Sequence, residues 1–155
     1  MHVANPPAEL ASFPAVVRLP VQWGDQDSFG HVNNAVYFRW FETARIAYLE
    51  RIGLGDKHAG QTTEEDDIGP ILAAINCNYR RQIKYPDTIL VGARITRIGR
   101  TSLTMTHALW SEMQQAIAAD GDSTVVVFSY QANRPQRVPD ELRALISKLE
   151  GHTFA

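Results

Sequence analysis

Asp25 and Asp27 sit two residues apart in the stretch DQDSFGHVNN (residues 25–34), with Gly30, His31, Asn33 and Asn34 close behind. The stretch is dense in turn-forming residues, and Gly30 allows it to fold back tightly. A helical pattern follows over 35–52, for which Asn33 or Asn34 is a suitable N-cap and Gly53 a C-terminal stop. A helix start offers unpaired backbone N–H groups and the positive end of the helix dipole. A carboxylate facing such a start can process an acyl carbonyl: the N–H groups polarise the oxygen, and the carboxylate attacks the carbon or activates a water. His31 is either a general acid or base or a hydrogen-bonding residue that fixes the loop.

Other chemistries fit less well. Asp25, Asp27 and Gly30 open like a calcium loop, but Phe29 and Val36 fall where the fifth and twelfth positions need oxygen ligands. Asp25, Asp27 and His31 have no second ligand set elsewhere, so no metal is expected, and no cofactor. There is no G-x-S-x-G elbow. Cys77 occupies an alternating apolar strand position with no histidine nearby in sequence, which predicts a buried filler.

Fifteen Lys and Arg against 17 Asp and Glu give a net charge of -2, which argues against nucleic acid or an anionic membrane as partner. Basic residues are nevertheless grouped, as Arg80, Arg81 and Lys84 and as Arg94, Arg97 and Arg100. Small groups of this kind suit a small phosphorylated ligand. One cysteine excludes an intrachain disulfide, the first 14 residues lack a secretory pattern, and no apolar run reaches membrane-spanning length. A cytoplasmic location is expected.

The elements that must position the loop read as follows. Residues 1–14 are expected to form a loose, flexible arm and 15–155 one domain. A strand over 15–23, broken by Pro20, suits a sheet edge or a bulge. On the helix, Arg39, Glu42, Thr43, Ile46 and Glu50 trace a mostly polar stripe and nearly everything else is apolar, so it must be packed on several sides. The connection over 53–69 contains Glu64, Glu65, Asp66 and Asp67, expected as a solvated loop. Strands are predicted over 71–81, 88–98, 101–110 and 123–131, with a tight turn at Gly99 and Arg100, and an amphipathic helix over 139–149. One antiparallel sheet of about five strands must bury a face, and one long apolar helix is available to cover it. The fold class is α+β.

The pattern D-x-D-x-x-G-H-V-N-N-A-x-Y, then F-E-x-A-R (Phe41, Glu42, Ala44, Arg45), N-Y-R-R (Asn78 to Arg81) and G-R-T-S-L (Gly99 to Leu103), resembles the hydroxybenzoyl-CoA thioesterase group of the hotdog superfamily. It is similar to the branch that contains bacterial long-chain acyl-CoA thioesterases, over roughly residues 15–135. The resemblance implies a sheet wrapped around a central helix, hydrolysis of acyl-CoA to a free acid and CoA-SH, and homodimers or homotetramers with sites at subunit interfaces. It places the catalytic aspartate on Asp27, leaving Asp25 structural, and the carbonyl-polarising N–H on Asn34. Asn33 and Asn34 stand where the aromatic-acyl branch has large aromatic residues, which favours a fatty-acyl substrate. The family's phosphate-touching hairpin falls on Arg100, Thr101 and Ser102, with Gly99 where some relatives have a basic residue. Asn33, Arg80 and Arg81 join the expected substrate-binding set, and Asp27, His31 and Asn34 the catalytic one. A non-catalytic acyl-CoA binding or sensing module of the same fold, and a hotdog hydratase or dehydratase, are the competing readings.

Overall fold

A computed structural model describes residues 2–54 and 68–154; the acidic run from Glu64 to Asp67 lies outside the described residues. In chain order the longer elements are β1 (Ala15–Pro20), α1 (Asn34–Arg51), β2 (Ile68–Ile75), β3 (Asn78–Tyr79), β4 (Thr88–Ile98), β5 (Ser102–Ser111), β6 (Ala116–Ser129), β7 (Arg134–Pro135) and α2 (Asp140–Glu150). All pairings are antiparallel, in the order β1-β4-β5-β6-β2, with β3 and β7 added along β6.

Period-two alternation assigns the two faces. Val17, Ile89, Val91, Ile95, Leu103, Met105, Leu109, Val125 and Val127 point to one side and meet Tyr37, Trp40, Phe41, Ala44 and Tyr48 of α1 in one core. Arg39, Glu42, Thr43, Ile46 and Glu50 stay on the outside of the helix, as the stripe in the sequence requires. The sheet thus closes around α1 as expected for a hotdog fold.

Residues 2–14 do not stand away from the sheet as a loose arm. Leu10 and Phe13 pack with Val16, Leu90, Ala108 and Trp110 on the outer face, and the Val3 N–H donates to the Val16 carbonyl at 2.8 Å. Gly92 explains the fit: a Cβ there would come within 2.6 Å of the Phe13 ring. The side-chain-free backbone leaves the ring a seat, and the Arg94 guanidinium covers it 4.7 Å from the centroid. Burying Phe13 and Leu10 contributes roughly 1.5–3 kcal/mol each, enough to hold a segment that its prolines alone do not order.

Two strand boundaries also differ from expectation. The predicted strand over 71–81 is broken at 76 and 77, where Asn76 turns to bond Asp122 twice, through its own N–H and through Oδ1. Strand β6 begins at Ala116, seven residues before the predicted start at 123, because Asp120 and Asp122 find partners in Arg80, Asn78 and Thr106. Local propensity disfavours Asp-Gly-Asp in a strand; the tertiary bonds override it.

A buried histidine sits inside the core. His107 is 0% exposed, stacks on Phe41 at 5.0 Å and shares a hydrogen bond between Nε2 and Ser123 Oγ at 2.8 Å. Burial pushes its pKa down to about 3 and the Arg45 charge adds to that, against a backbone contact at Gly92. Because the folded value lies below the ordinary 6.5, the unfolded chain binds the proton first as pH falls. The stabilisation is complete above about pH 6.5 and drains away towards pH 3. Between pH 7 and pH 5 urea unfolding should therefore register a loss of about 2 kcal/mol from this group. His107→Gln should remove that increment; an unchanged pH slope would show that His107 is not its source.

Candidate active site

The loop between β1 and α1 is built from its own backbone. The Gln22 N–H donates to Asp25 Oδ2 at 2.8 Å, and Asp25, almost buried, lies 3.7 Å from Arg39. Asp25 is a structural carboxylate. Its carbonyl accepts the Asn33 N–H at 2.9 Å, while the Val32 N–H donates to the Ile83 carbonyl at 2.8 Å, which ties the loop to the segment entering β4. Gly30, at φ 86°, supplies the left-handed residue that closes the turn.

Asp27 lies at the apex. Its N–H donates to the His31 carbonyl at 2.9 Å and its Oδ1 accepts the Phe29 N–H at 2.8 Å. Among the described residues no hydrogen bond reaches Asp27 Oδ2. One carboxylate oxygen is thus fixed while the other stays available. His31 holds the loop through its carbonyl, and no hydrogen bond to its ring falls among the described residues.

Asn33 is the N-cap, its Oδ1 accepting from the Ala35 N–H at 2.9 Å, and the Val36 N–H donates to the Asn33 carbonyl at 3.0 Å. These bonds satisfy the second and third N–H groups of the helix and leave that of Asn34 without an acceptor among the described residues. The Asn34 residue is held at its other end, where Tyr79 Oη donates to the Asn34 carbonyl at 2.9 Å. Tyr79 meets Tyr37 edge-on at 4.9 Å, and burial pushes the Tyr37 hydroxyl up to about 12, so it remains a neutral hydroxyl. Tyr37 and Tyr79 were not among the site residues expected from sequence. Their spacing gives no signal, since they converge only because β3 passes beside the start of α1.

Asp27, His31 and Asn34 line one cavity of about 320 Å³ together with Val32, Tyr37, Tyr79, Arg80, Arg81 and Gln82. The cavity therefore gathers the expected catalytic three and two of the expected basic residues. Arg80 is engaged by Asp120 through Nε and Nη2, both at 3.2 Å. Burial, which raises the Asp120 pKa, is outweighed by Arg80 and Asn78, which hold it below the usual carboxylate range. Arg81 has no ion-pair partner among the described residues. Asn33 is spent on the cap. Arg100, Thr101 and Ser102 do not line this cavity: Arg100 and Thr101 lie in the turn between β4 and β5 and Ser102 opens β5, and the Arg100 carbonyl accepts the Val138 N–H and the Thr101 carbonyl the Val127 N–H, each at 2.8 Å.

Cys77 is half-buried and burial pushes its thiol up to about 11, far from a reactive thiolate. Arg45 is buried, with Glu42 3.9 Å away. Among the described residues no group of three His, Cys, Asp or Glu side chains could hold a metal ion, and no helix is long and apolar enough to cross a membrane.

Comparison with known proteins agrees with this architecture. The family model described as the thioesterase-like superfamily matches residues 21–146. A thioesterase from Thermus thermophilus, solved in complex with coenzyme A and zinc, is 34% identical and superposes with a TM-score of 0.77 over 93% of this chain and 99% of that one. A putative thioesterase from Pseudomonas aeruginosa is 33% identical, with a TM-score of 0.72 over 84% of this chain and 96% of its own. The long-chain acyl-CoA thioesterase FadM of Escherichia coli (strain K12) is 24% identical over 79% of this chain and 89% of its own length. On the extent of these matches and the sheet closed around α1, the chain belongs to the thioesterase-like superfamily, with the hotdog fold.

Proposed function

We propose that the chain hydrolyses acyl-CoA thioesters to a free carboxylic acid and CoA-SH, with Asp27 as the reacting carboxylate. The observation that carries this reading is the pairing, in one cavity, of an open Asp27 Oδ2 with an unpartnered Asn34 N–H at a helix start. In the reaction the Asn34 N–H receives the developing oxyanion. Asp27 either attacks the carbonyl carbon, giving an anhydride that water then opens, or takes a proton from the attacking water. Both routes consume one water, break the carbon–sulfur bond and leave a proton on the departing thiolate. His31 borders the same space and can relay that proton.

Arg81 brings beside the site a guanidinium with no ion-pair partner among the described residues, and Arg80 borders it while paired to Asp120. Arg100, Thr101 and Ser102 lie outside this cavity, so their part in holding CoA calls for a site shared with a second subunit of a homodimer or homotetramer. Exposed apolar surface supports that assembly: among the described residues β2 is an open sheet edge, with Leu72 43% exposed beside exposed Ala73 and Ala74, and Phe29, two residues from Asp27, is 81% exposed. The lone Cys77 fits a reducing compartment, and the cytoplasm is the proposed location.

Thiol release measured across saturated acyl-CoAs of increasing length, with hydroxybenzoyl-CoA alongside, tests the reading. Turnover of fatty acyl-CoAs in preference to the aromatic ester is expected. Tight binding of acyl-CoA without thiol release anywhere in the panel would overturn it.

A further inference from the structure

Strand β3 is only Asn78 and Tyr79, both exposed, yet its Tyr79 hydroxyl holds the Asn34 carbonyl at the helix start that borders Asp27. A strand so short does not fix its own orientation. The backbone supplies part of what is needed. Asn78 and Tyr79 stand opposite Asp120 and Ala119 of β6, and the N–H groups of Arg80 and Arg81 both donate to the Ala118 carbonyl, at 2.8 and 3.0 Å. These bonds set where the segment lies along β6. They do little to stop it from twisting about its own axis.

The Asp120 side chain supplies the rest. Its Oδ1 accepts from Asn78 Nδ2 at 2.9 Å and from Arg80 Nη2 at 3.2 Å, and its Oδ2 accepts from Arg80 Nε at 3.2 Å. Asn78 and Arg80 are the two chain neighbours of Tyr79. Successive side chains of an extended segment point to opposite faces, so a carboxylate that grips Asn78 and Arg80 on one face turns Tyr79 to the other. On that other face Tyr79 is paired with Ala119, which is fully buried, and its ring meets Tyr37 of α1 edge-on at 4.9 Å. The arginine half of the grip is a charge-assisted fork, the stronger and more directional kind of hydrogen bonding. Asp122, two residues further along β6, serves a different strand: its Oδ1 accepts the Thr106 hydroxyl of β5 at 2.8 Å.

We infer that Asp120 is a positioning residue for the thioester reaction: it orients Tyr79 through Asn78 and Arg80, and Tyr79 holds the start of α1 that presents the Asn34 N–H. The inference rests on the acyl-CoA reading of the cavity. It assigns Arg80, expected from sequence as a substrate-binding residue, to this clamp, where Asp120 answers its charge.

Asp120→Asn keeps the shape of the side chain but turns an NH₂ group towards donors that need an acceptor, and Tyr79→Phe removes the hydroxyl at the far end of the chain of contacts. Each should lower kcat for acyl-CoA hydrolysis, by about five-fold and about ten-fold respectively, with KM no higher than that of the wild type. The double variant separates positioning from a general loss of structure. Acting through Tyr79, Asp120 has nothing further to lose once the hydroxyl is gone, so the double variant should be as slow as Tyr79→Phe alone; independent effects would multiply to about fifty-fold. Asp122→Asn, which leaves β3 untouched, should keep the wild-type kcat. A second readout needs no substrate: in ¹⁵N spectra the Asn34 amide should shift in the same direction in Asp120→Asn and Tyr79→Phe and stay in place in Asp122→Asn. Asn78→Ala, which removes one of the three bonds, should move the same signal by less and replaces Asp120→Asn if that variant does not fold. Losses that multiply, or an Asn34 amide that answers to Tyr79→Phe but not to Asp120→Asn, would overturn the clamp. The two readings fail separately. Wild-type turnover in Asp120→Asn removes the clamp alone, whereas the expected amide shifts in a protein that hydrolyses no thioester remove the hydrolytic function and leave the clamp standing.

Discussion

Asp27→Asn should reduce thioester turnover by at least about 10³-fold while leaving the unfolding midpoint where it is. Both halves of the expectation come from the way the carboxylate is divided. Oδ1 accepts the Phe29 N–H at 2.8 Å, a bond that an asparagine oxygen makes equally well, so the turn through Gly30 survives. Oδ2 bonds nothing among the described residues, and replacing it by an amide NH₂ removes the carboxylate proposed as nucleophile or base. Substrate binding, carried by other groups, should persist, so the loss falls on kcat and not on KM. Equal rates for the two proteins would dismiss Asp27. The two routes open to the wild type separate in a single turnover in ¹⁸O-labelled water. An anhydride opened by water at the Asp27 carbonyl leaves label in the protein, and direct hydrolysis does not.

The loop and the helix were the legible parts of the chain. Asp27, Gly30 and the Asn33 cap are local features: a turn, a cap and a 3.6-residue period are written in neighbouring residues, and α1 buries the face its sequence requires. What sequence did not reveal depends on contacts between distant residues. Nothing near Tyr79 announces that its hydroxyl will hold the Asn34 carbonyl, 45 positions earlier. Phe13 looks like part of a loose arm until Gly92, on another strand, is seen to leave room for its ring. The same limit applies to the basic residues. Arg80 and Arg81 are adjacent in sequence, yet pairing along β6 gives Arg80 to Asp120 and leaves Arg81 free at the cavity. Arg100, in the β4–β5 turn, is outside the lining of that cavity, and sequence gives no sign of the separation.

The dependence on distant contacts is sharpest at Gly121, and it leads to the second large effect. Strand β6 carries Gly121 where the chain between β2 and β3 crosses closest: a Cβ built there would stand 2.1 Å from the Asn76 carbonyl oxygen and 3.0 Å from its carbon. The obstacle is backbone, bonded on either side by Asn76 N–H to the Asp122 carbonyl at 2.9 Å and Asp122 N–H to Asn76 Oδ1 at 3.2 Å, so it cannot swing aside as a side chain would. Gly121→Ala must push the segment from Asn76 to Arg81 off β6. Stability should fall by about 3 kcal/mol, the upper part of the range for overpacking, as read from the urea midpoint. Activity should fall as well, even at temperatures where the variant is folded, because the displaced segment carries Tyr79, which holds the Asn34 carbonyl, and Arg80 and Arg81, which border the cavity. Losing that one hydrogen bond to Asn34 accounts for up to about ten-fold in kcat. Gly24→Ala is the matched control: a Cβ there meets nothing within 4 Å, and a change within about 0.5 kcal/mol is expected. Should Gly121→Ala unfold at the wild-type midpoint and retain full kcat, the packing of β6 against the Asn76 segment would not be what holds the start of α1 at the cavity.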